Sequence, residues 1–390
     1  MTVIEDAYED VADYLRTSKG TGACASLRLY PGITDTGFCL GVAHADQSVA
    51  RNAMTIPPRP RIGLVLGAGG VVGQAYQCGV LAVLENDCGF DAHGAEVIVG
   101  TSAGAVIGML LRLGVAPRDL AAWMVKAPLA EEHEVLRRMA EVAVPEFVPF
   151  RVARLFRRPP RPPGWRLLRN VVTRRPRFNP LPAALTLIAP GRQDILTHLA
   201  ALQEFGDQAW PDRDLWICAV RRRDARRVVF GRPGAPEAPL RLAVAASCAV
   251  PGYFAPVQVD DHAYLDGGVH SLTNAAILKE RGLDLVIVIS PMSGPLGHRP
   301  DVYAAARYYA ARTLRREVKA LRAANIQTLV FAPGDRERQV IGNDFMSGRR
   351  VTEIIWHSFF AAGAQAANPD VRAILRAATT QPEHNHASVP

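Results

Sequence analysis

"GTSAGAVIG", residues 100–108, sets a single hydroxyl between glycines where an apolar run turns into a helix-like one. Upstream, "AEVIVGTS" (95–102) reads as a strand; downstream, "AGAVIGMLLRLG" (103–114) reads as a helix stopped by Gly114 and Pro117. Gly100 and Gly104 permit a sharp turn and close helix–strand packing that a Cβ would obstruct. Ser102 is thereby lifted off the sheet. The helix start aims its unpaired N–H groups and positive dipole end at the same place, where an oxyanion on an attacked carbonyl is stabilised. G-x-S-x-G in a strand–turn–helix setting is the nucleophile elbow of serine hydrolases. A bare G-x-S-x-G also serves as a tight turn with the serine as helix N-cap, and the flanking strand and helix favour the elbow.

The pattern repeats on both sides. "RIGLVLG" (61–67) is a continuous apolar run, the mark of a strand buried on both faces, and "GQAYQCGVLAVLEN" (73–86) follows with helical spacing. "DLWICAV" (214–220), "RRVVF" (226–230), "DLVIVIS" (284–290) and "QTLVFAP" (327–333) read as further strands. Strands alternating with helices predict an α/β fold with a mostly parallel sheet covered on both faces. Residues 1–60 read as an extension ending in a Pro-rich linker, and Met54 is an alternative start. Residues 61–335 read as the catalytic unit, and 336–390 as a helical extension with a disordered tail.

A second glycine-rich turn, "GAGGVVG" (67–73), also joins a strand to a helix. Its spacing from Gly67 to Gly73 departs from the dinucleotide fingerprint G-x-G-x-x-G, and no second strand ends in an acid about 20 residues later. Backbone N–H groups of Gly69, Gly70 and Val71 would instead complete an oxyanion hole beside the elbow. Tight NAD(P) binding is the observation that would favour a dinucleotide-binding oxidoreductase.

A serine hydroxyl needs a base. His270, His298 and His357 are the late histidines available to a Ser-His-Asp esterase of small soluble esters, and none has a telling context. "AYLDGGVHS" (263–271) is more informative. A strand-like "VQVDDHAYL" ends in Asp266, followed by Gly267 and Gly268, which leave the carboxylate accessible. A carboxylate taking the Ser102 proton directly makes a two-residue dyad, provided that burial raises its pKa.

Three motifs now stand in order, "GAGGVVG", "GTSAG" and "DGG", preceded by "AASCAVPGYFAPVQVDDHAYLDGG" (245–268). Together they resemble the patatin-like phospholipase family over about residues 61–335. The resemblance implies a patatin-like three-layer α/β/α sandwich, with Ser102 as nucleophile and Asp266 as sole general base. It also implies hydrolysis of lipid or phospholipid esters through an acyl-enzyme, without cofactor or metal. Many members carry Arg or Lys before the last glycine of the loop; here that position is Val72.

The chain has 390 residues and a formal net charge of +8. Residues 151–178 hold ten Arg, no Lys and no acid, so the basicity is one local patch. There Arg157, Arg158, Trp165 and Arg166 suit contact with an anionic membrane surface, charges on phosphates and ring at head-group level. No nucleic-acid reading motif accompanies them, and nucleic acid is not expected as a partner. A nonenzymatic anionic-surface binder that keeps the fold is a further alternative. "VYAAARYYAARTLRREVKALRAAN" (302–325) reads as a helix with an apolar stripe at Val302, Ala306, Ala310, Leu314, Val318 and Leu321 and basic residues on its other faces. The six cysteines (24, 39, 78, 88, 218 and 248) form no C-x-x-C pair and read as buried hydrophobes of a reducing compartment. The N-terminus is acidic, without the layout of a secretion signal. The expectation is a cytoplasmic protein, peripheral on the inner face of the membrane.

Overall fold

Ile62–Leu66 (β1) is buried at every residue and lies inside the sheet, with parallel neighbours on both edges. The structure, a computed structural model, describes residues 60–127, 134–151, 180–202, 210–294 and 304–379, with a few positions between 159 and 169. The extension over 1–59, His298 and the tail from 380 lie outside the described residues. β2 (Val97–Thr101), β3 (Asp214–Arg221), β7 (Leu285–Ile289) and β8 (Gln327–Phe331) run parallel with β1 in the order β3-β2-β1-β7-β8. β4 (Arg226–Phe230) and β6 (His262–Asp266) both pair antiparallel with β3, and β5 (Val257–Val259) pairs antiparallel with β6.

Side chains along the central strands alternate between two cores. Leu64, Leu66, Ile98, Ile217, Ile287 and Ile289 face α1 (Gly70–Asn86), α2 (Ala103–Arg112), α3 (Leu240–Cys248) and α5 (Val351–Ala366). Val65, Val97, Val99, Val286 and Val288 face the 275–280 turn and α4 (Ala304–Ala323). This is the three-layer sandwich expected, and it explains why the strands read as unbroken apolar runs. Among the described residues, no helix is long and apolar enough to cross a membrane.

Three elements depart from the sequence reading. "VQVDDHAYL" is a hairpin of two strands, turned at Asp260 with φ 48°, because an Asp-Asp pair breaks the alternation. α1 begins at Gly70, inside the glycine loop, three residues earlier than its apolar periodicity indicates. On α4, Ala310, Leu314 and Leu321 are buried, but Ala306 is exposed and Val318 half-buried, and the stripe passes through a buried acid, Glu317.

β3 has three partners and two edges. β2 covers residues 214–218 of it, β6 covers 219–221, and β4 covers 217–221. β4 overlaps both of the others, whereas β2 and β6 do not overlap. β2 and β6 therefore share one edge of β3, end to end. Their carboxyl ends meet where Thr101 pairs with Cys218 and Asp266 pairs with Ala219.

α2 reaches β1 through one close approach: a Cβ at Gly104 would lie 2.0 Å from the Leu66 carbonyl oxygen. Gly363, on α5, has no heavy atom within 4 Å of the same position. Gly104→Ala is expected to lower unfolding free energy by about 3 kcal/mol or more, since backbone cannot yield as a side chain does. Gly363→Ala should be neutral or stabilising by up to about 1 kcal/mol. Chemical denaturation of the two variants checks both.

Candidate active site

Ser102 follows β2 and precedes α2, with φ 53° and ψ −118°. A non-glycine residue holds such a backbone only where its surroundings over-determine it. Here the Ser102 amide donates to Ser247 Oγ at 2.9 Å, and Ser247 Oγ donates to the Cys218 carbonyl at 2.7 Å. Ser247 lies on α3 and is fully buried, so its hydroxyl ties α3, the elbow and β3 together. The sequence reading passed over it, because a lone serine in "AVAASC" gives no local signal.

Asp266 comes head-on to the elbow along the β3 edge. Its side chain accepts from the Gly268 amide at 2.6 Å, and Ser102 is near enough to act on its pKa. Gly267 permits the approach, since a Cβ there would fall 2.2 Å from the Cys218 carbonyl oxygen. Burial pushes the Asp266 carboxyl up to about 6; Ser102 and the Gly268 amide pull it partly back. Both residues are nearly covered, at 6% and 4% exposure, in a site shielded from bulk water. The Cys248 thiol is buried nearby, and burial raises its pKa, so it remains a neutral wall.

The glycine loop lies beside this pair. Gly67 N–H donates to Ile289 O and Ala68 N–H to Leu272 O; Val72 N–H donates to Phe345 O and Gly73 N–H to Gly69 O. The amides between these are those of Gly69, Gly70 and Val71, the three that the sequence singles out. Gln77, fully buried on α1, fixes the Gly67 carbonyl at 2.6 Å. Val72 is 2% exposed and packs in the larger core, and residues 344–346 close over the loop. Asp344 also accepts from the Phe150 amide at 2.9 Å, and the Phe345 and Phe150 rings are 5.9 Å apart.

The histidines stand apart. Burial and Arg227 pull His270 down to about 4, and among the described residues its buried Nδ1 has no hydrogen-bond partner. His357 lies on α5 among Arg336, Glu337, Arg350 and Glu353. Trp165 is 75% exposed; Arg157, Arg158 and Arg166 lie outside the described residues.

The family profile described as patatin-like phospholipase matches residues 64–279, more than half of the chain, and the chain belongs to that family. The match contains the glycine loop, the elbow and the Asp-Gly-Gly turn. A search of curated proteins returns no match. Among solved structures, VipD from Legionella pneumophila is 11% identical, with TM-score 0.36, over 79% of this chain and 66% of that one. The type III effector protein ExoU is 15% identical, with TM-score 0.33, over 82% and 54%. Human GIVD cytosolic phospholipase A2 is 11% identical, with TM-score 0.36, over 86% and 66%. The chain thus spans about two thirds or less of each of these proteins.

A raised carboxylate pKa has a thermodynamic sign. Wild type loses stability as pH rises from the unfolded value of Asp266 through about 6, because the fold must then hold a buried charge. Asp266→Asn removes that charge. The variant should be more stable than wild type above pH 7, by up to about 3 kcal/mol, with the difference vanishing near pH 4. Denaturation at both pH values checks it.

Proposed function

We propose that this chain is a serine acyl hydrolase of lipid carboxylic esters, working through a Ser102–Asp266 dyad. The observation that carries the reading is the meeting of β2 and β6 on one edge of β3, which brings buried Ser102 and buried Asp266 together; burial also pushes the Asp266 pKa up to about 6. Ser102 Oγ attacks the ester carbonyl and its proton passes to Asp266. The oxyanion is held by the Gly69, Gly70 and Val71 amides, strengthened by the positive ends of α1 and α2. Collapse expels the alcohol, which takes the proton from Asp266, and leaves Ser102 acylated. Water then attacks the acyl-enzyme, gives its proton to Asp266, and the acid leaves as Ser102 Oγ takes the proton back. A carboxylate with pKa near 6 is ionised at neutral pH yet basic enough to share a proton, which an exposed aspartate is not.

Family membership supports the lipid ester as substrate class. An anionic membrane surface fits the outer rim. Trp165, Val144, Val148 and Leu181 are exposed, and the Tyr253 hydroxyl donates to the Val148 carbonyl, linking Val148 to the turn after α3. The buried free thiols of Cys78, Cys218 and Cys248 fit the cytoplasmic side of that membrane.

The test is p-nitrophenol release from medium-chain acyl esters, followed by liposome substrates. Ser102→Ala and Asp266→Asn should each lose at least about 10³-fold in kcat, while a triple His270/His298/His357→Ala variant stays within about threefold. Wild-type activity should fall as pH drops below about 6 and Asp266 takes up a proton. Loss of activity in the histidine variant overturns the dyad. Inactivity of folded wild type on every ester overturns the hydrolase.

A further inference from the structure

Ten residues, 266–275, touch every part of the site. Asp266 opens the segment. Leu272 O accepts from Ala68 N–H of the glycine loop at 2.8 Å. Asn274 Nδ2 donates to Thr101 Oγ1 at 3.1 Å, beside the nucleophile, and to Ser271 O at 2.7 Å. Asn274 Oδ1 accepts from Arg227 Nη1 at 3.2 Å. The segment contains little regular structure, only a turn of 3-10 helix at Gly267–Val269 and the start of another at Ala275. Bonds within the segment shape its turns, but its placement must come from outside.

It comes from α4. Glu317 is 7% exposed and lies on the buried face with Ala310, Leu314 and Leu321, where the helical spacing calls for an apolar side chain. Its Oε2 accepts from Thr273 Oγ1 at 2.5 Å and from the Ala275 amide at 3.0 Å. Burial raises the Glu317 pKa, and Ser271 joins Thr273 and Ala275 in pulling it back. Ser271 Oγ already accepts from the Thr273 amide at 3.3 Å and the Asn274 amide at 3.0 Å, so its own proton is the one turned toward the carboxylate. Two donors from one segment, Thr273 and Ala275, thus converge on one buried acid, with Ser271 beside them. Burying a carboxylate is costly unless it is hydrogen-bonded, and every bond recovered here orders residues 271–275.

We propose that Glu317 is a positioning residue of the active site: through Thr273, Ser271 and Ala275 it fixes the segment that sets Asp266, the glycine loop and the elbow in register. It acts through these residues and touches no reacting atom. The inference rests on the dyad reading and adds a residue outside the span matched by the family profile.

The test compares kcat and KM for p-nitrophenyl esters, normalised to the folded fraction from thermal unfolding. Variants are Glu317→Gln, Glu317→Ala, Thr273→Ser and Thr273→Val, beside Ser102→Ala. Glu317→Gln keeps the volume but replaces one acceptor oxygen of the buried acid with a donor N–H2. A displacement of the segment by a fraction of an ångström should cost kcat about tenfold in Glu317→Gln and about 100-fold in Glu317→Ala, with KM within about threefold. Thr273→Ser should restore what Thr273→Val loses, since only the hydroxyl reaches the acid. Wild-type kcat in folded Glu317→Ala overturns the inference and leaves the dyad standing. If the Glu317 variants do not fold, equal kcat in Thr273→Val and Thr273→Ser overturns it. Inactive wild type removes the dyad and this inference together.

Discussion

Two strands ending nose to nose on one edge of β3 are the constraint on which the rest of the site depends. β2 runs up that edge and stops at Thr101; β6 runs down it and stops at Asp266. Neither residue is brought near the other by its own turn. β3 extends three residues past its pairing with β2, and that overhang gives β6 a ladder to descend. Backbone hydrogen bonds therefore set the separation of Ser102 and Asp266, which are 164 positions apart in the chain. Side chains add the fine adjustment. Ser247 fixes the elbow from the α3 side, and the 266–275 segment fixes the glycine loop.

This arrangement explains the chemical poise of the pair. A carboxylate is a weak base in water, and its strength here comes from being buried with few donors. The Gly268 amide and the Ser102 hydroxyl steady the ionised form without cancelling the desolvation that raises its pKa. An arginine partner would have ended its usefulness: Arg221, at the end of β3, holds Asp224 of the following turn below the ordinary carboxylate range. Arg227 is turned to Asn274.

Much of this was legible in the sequence, for a physical reason. Strands buried on both faces must be apolar throughout, so "RIGLVLG", "AEVIVGTS" and "DLVIVIS" announce themselves. The elbow and Asp266 stand out because glycines crowd around functional turns. The direction of β6 was not legible: hydrophobicity carries no sign, and the same residues suit a parallel or an antiparallel strand. Ser247, Asn274 and Glu317 were also hidden. Each is one polar residue whose partner lies 145, 173 or 44 positions away, and no local window holds both ends of such a bond. Glu317 was the most concealed, being a charge in a helix full of charges, and only burial marks it out.

The interior place of β1 has a consequence for how the chain matures. β1 is the first strand of the sheet to be synthesised, yet one of its two edges is closed only by β7, whose paired residues lie some 220 positions later. Until that segment leaves the ribosome, β1 and β2 form a pair with an open hydrogen-bonding edge and an uncovered apolar face. The turn carrying Ser102 exists early. The strand that brings Asp266, the carbonyl of Ile289 that receives Gly67 and the acid on α4 all arrive afterward. A nascent chain therefore holds the elbow serine without Asp266 beside it, and the two meet only as the last strands close the sheet.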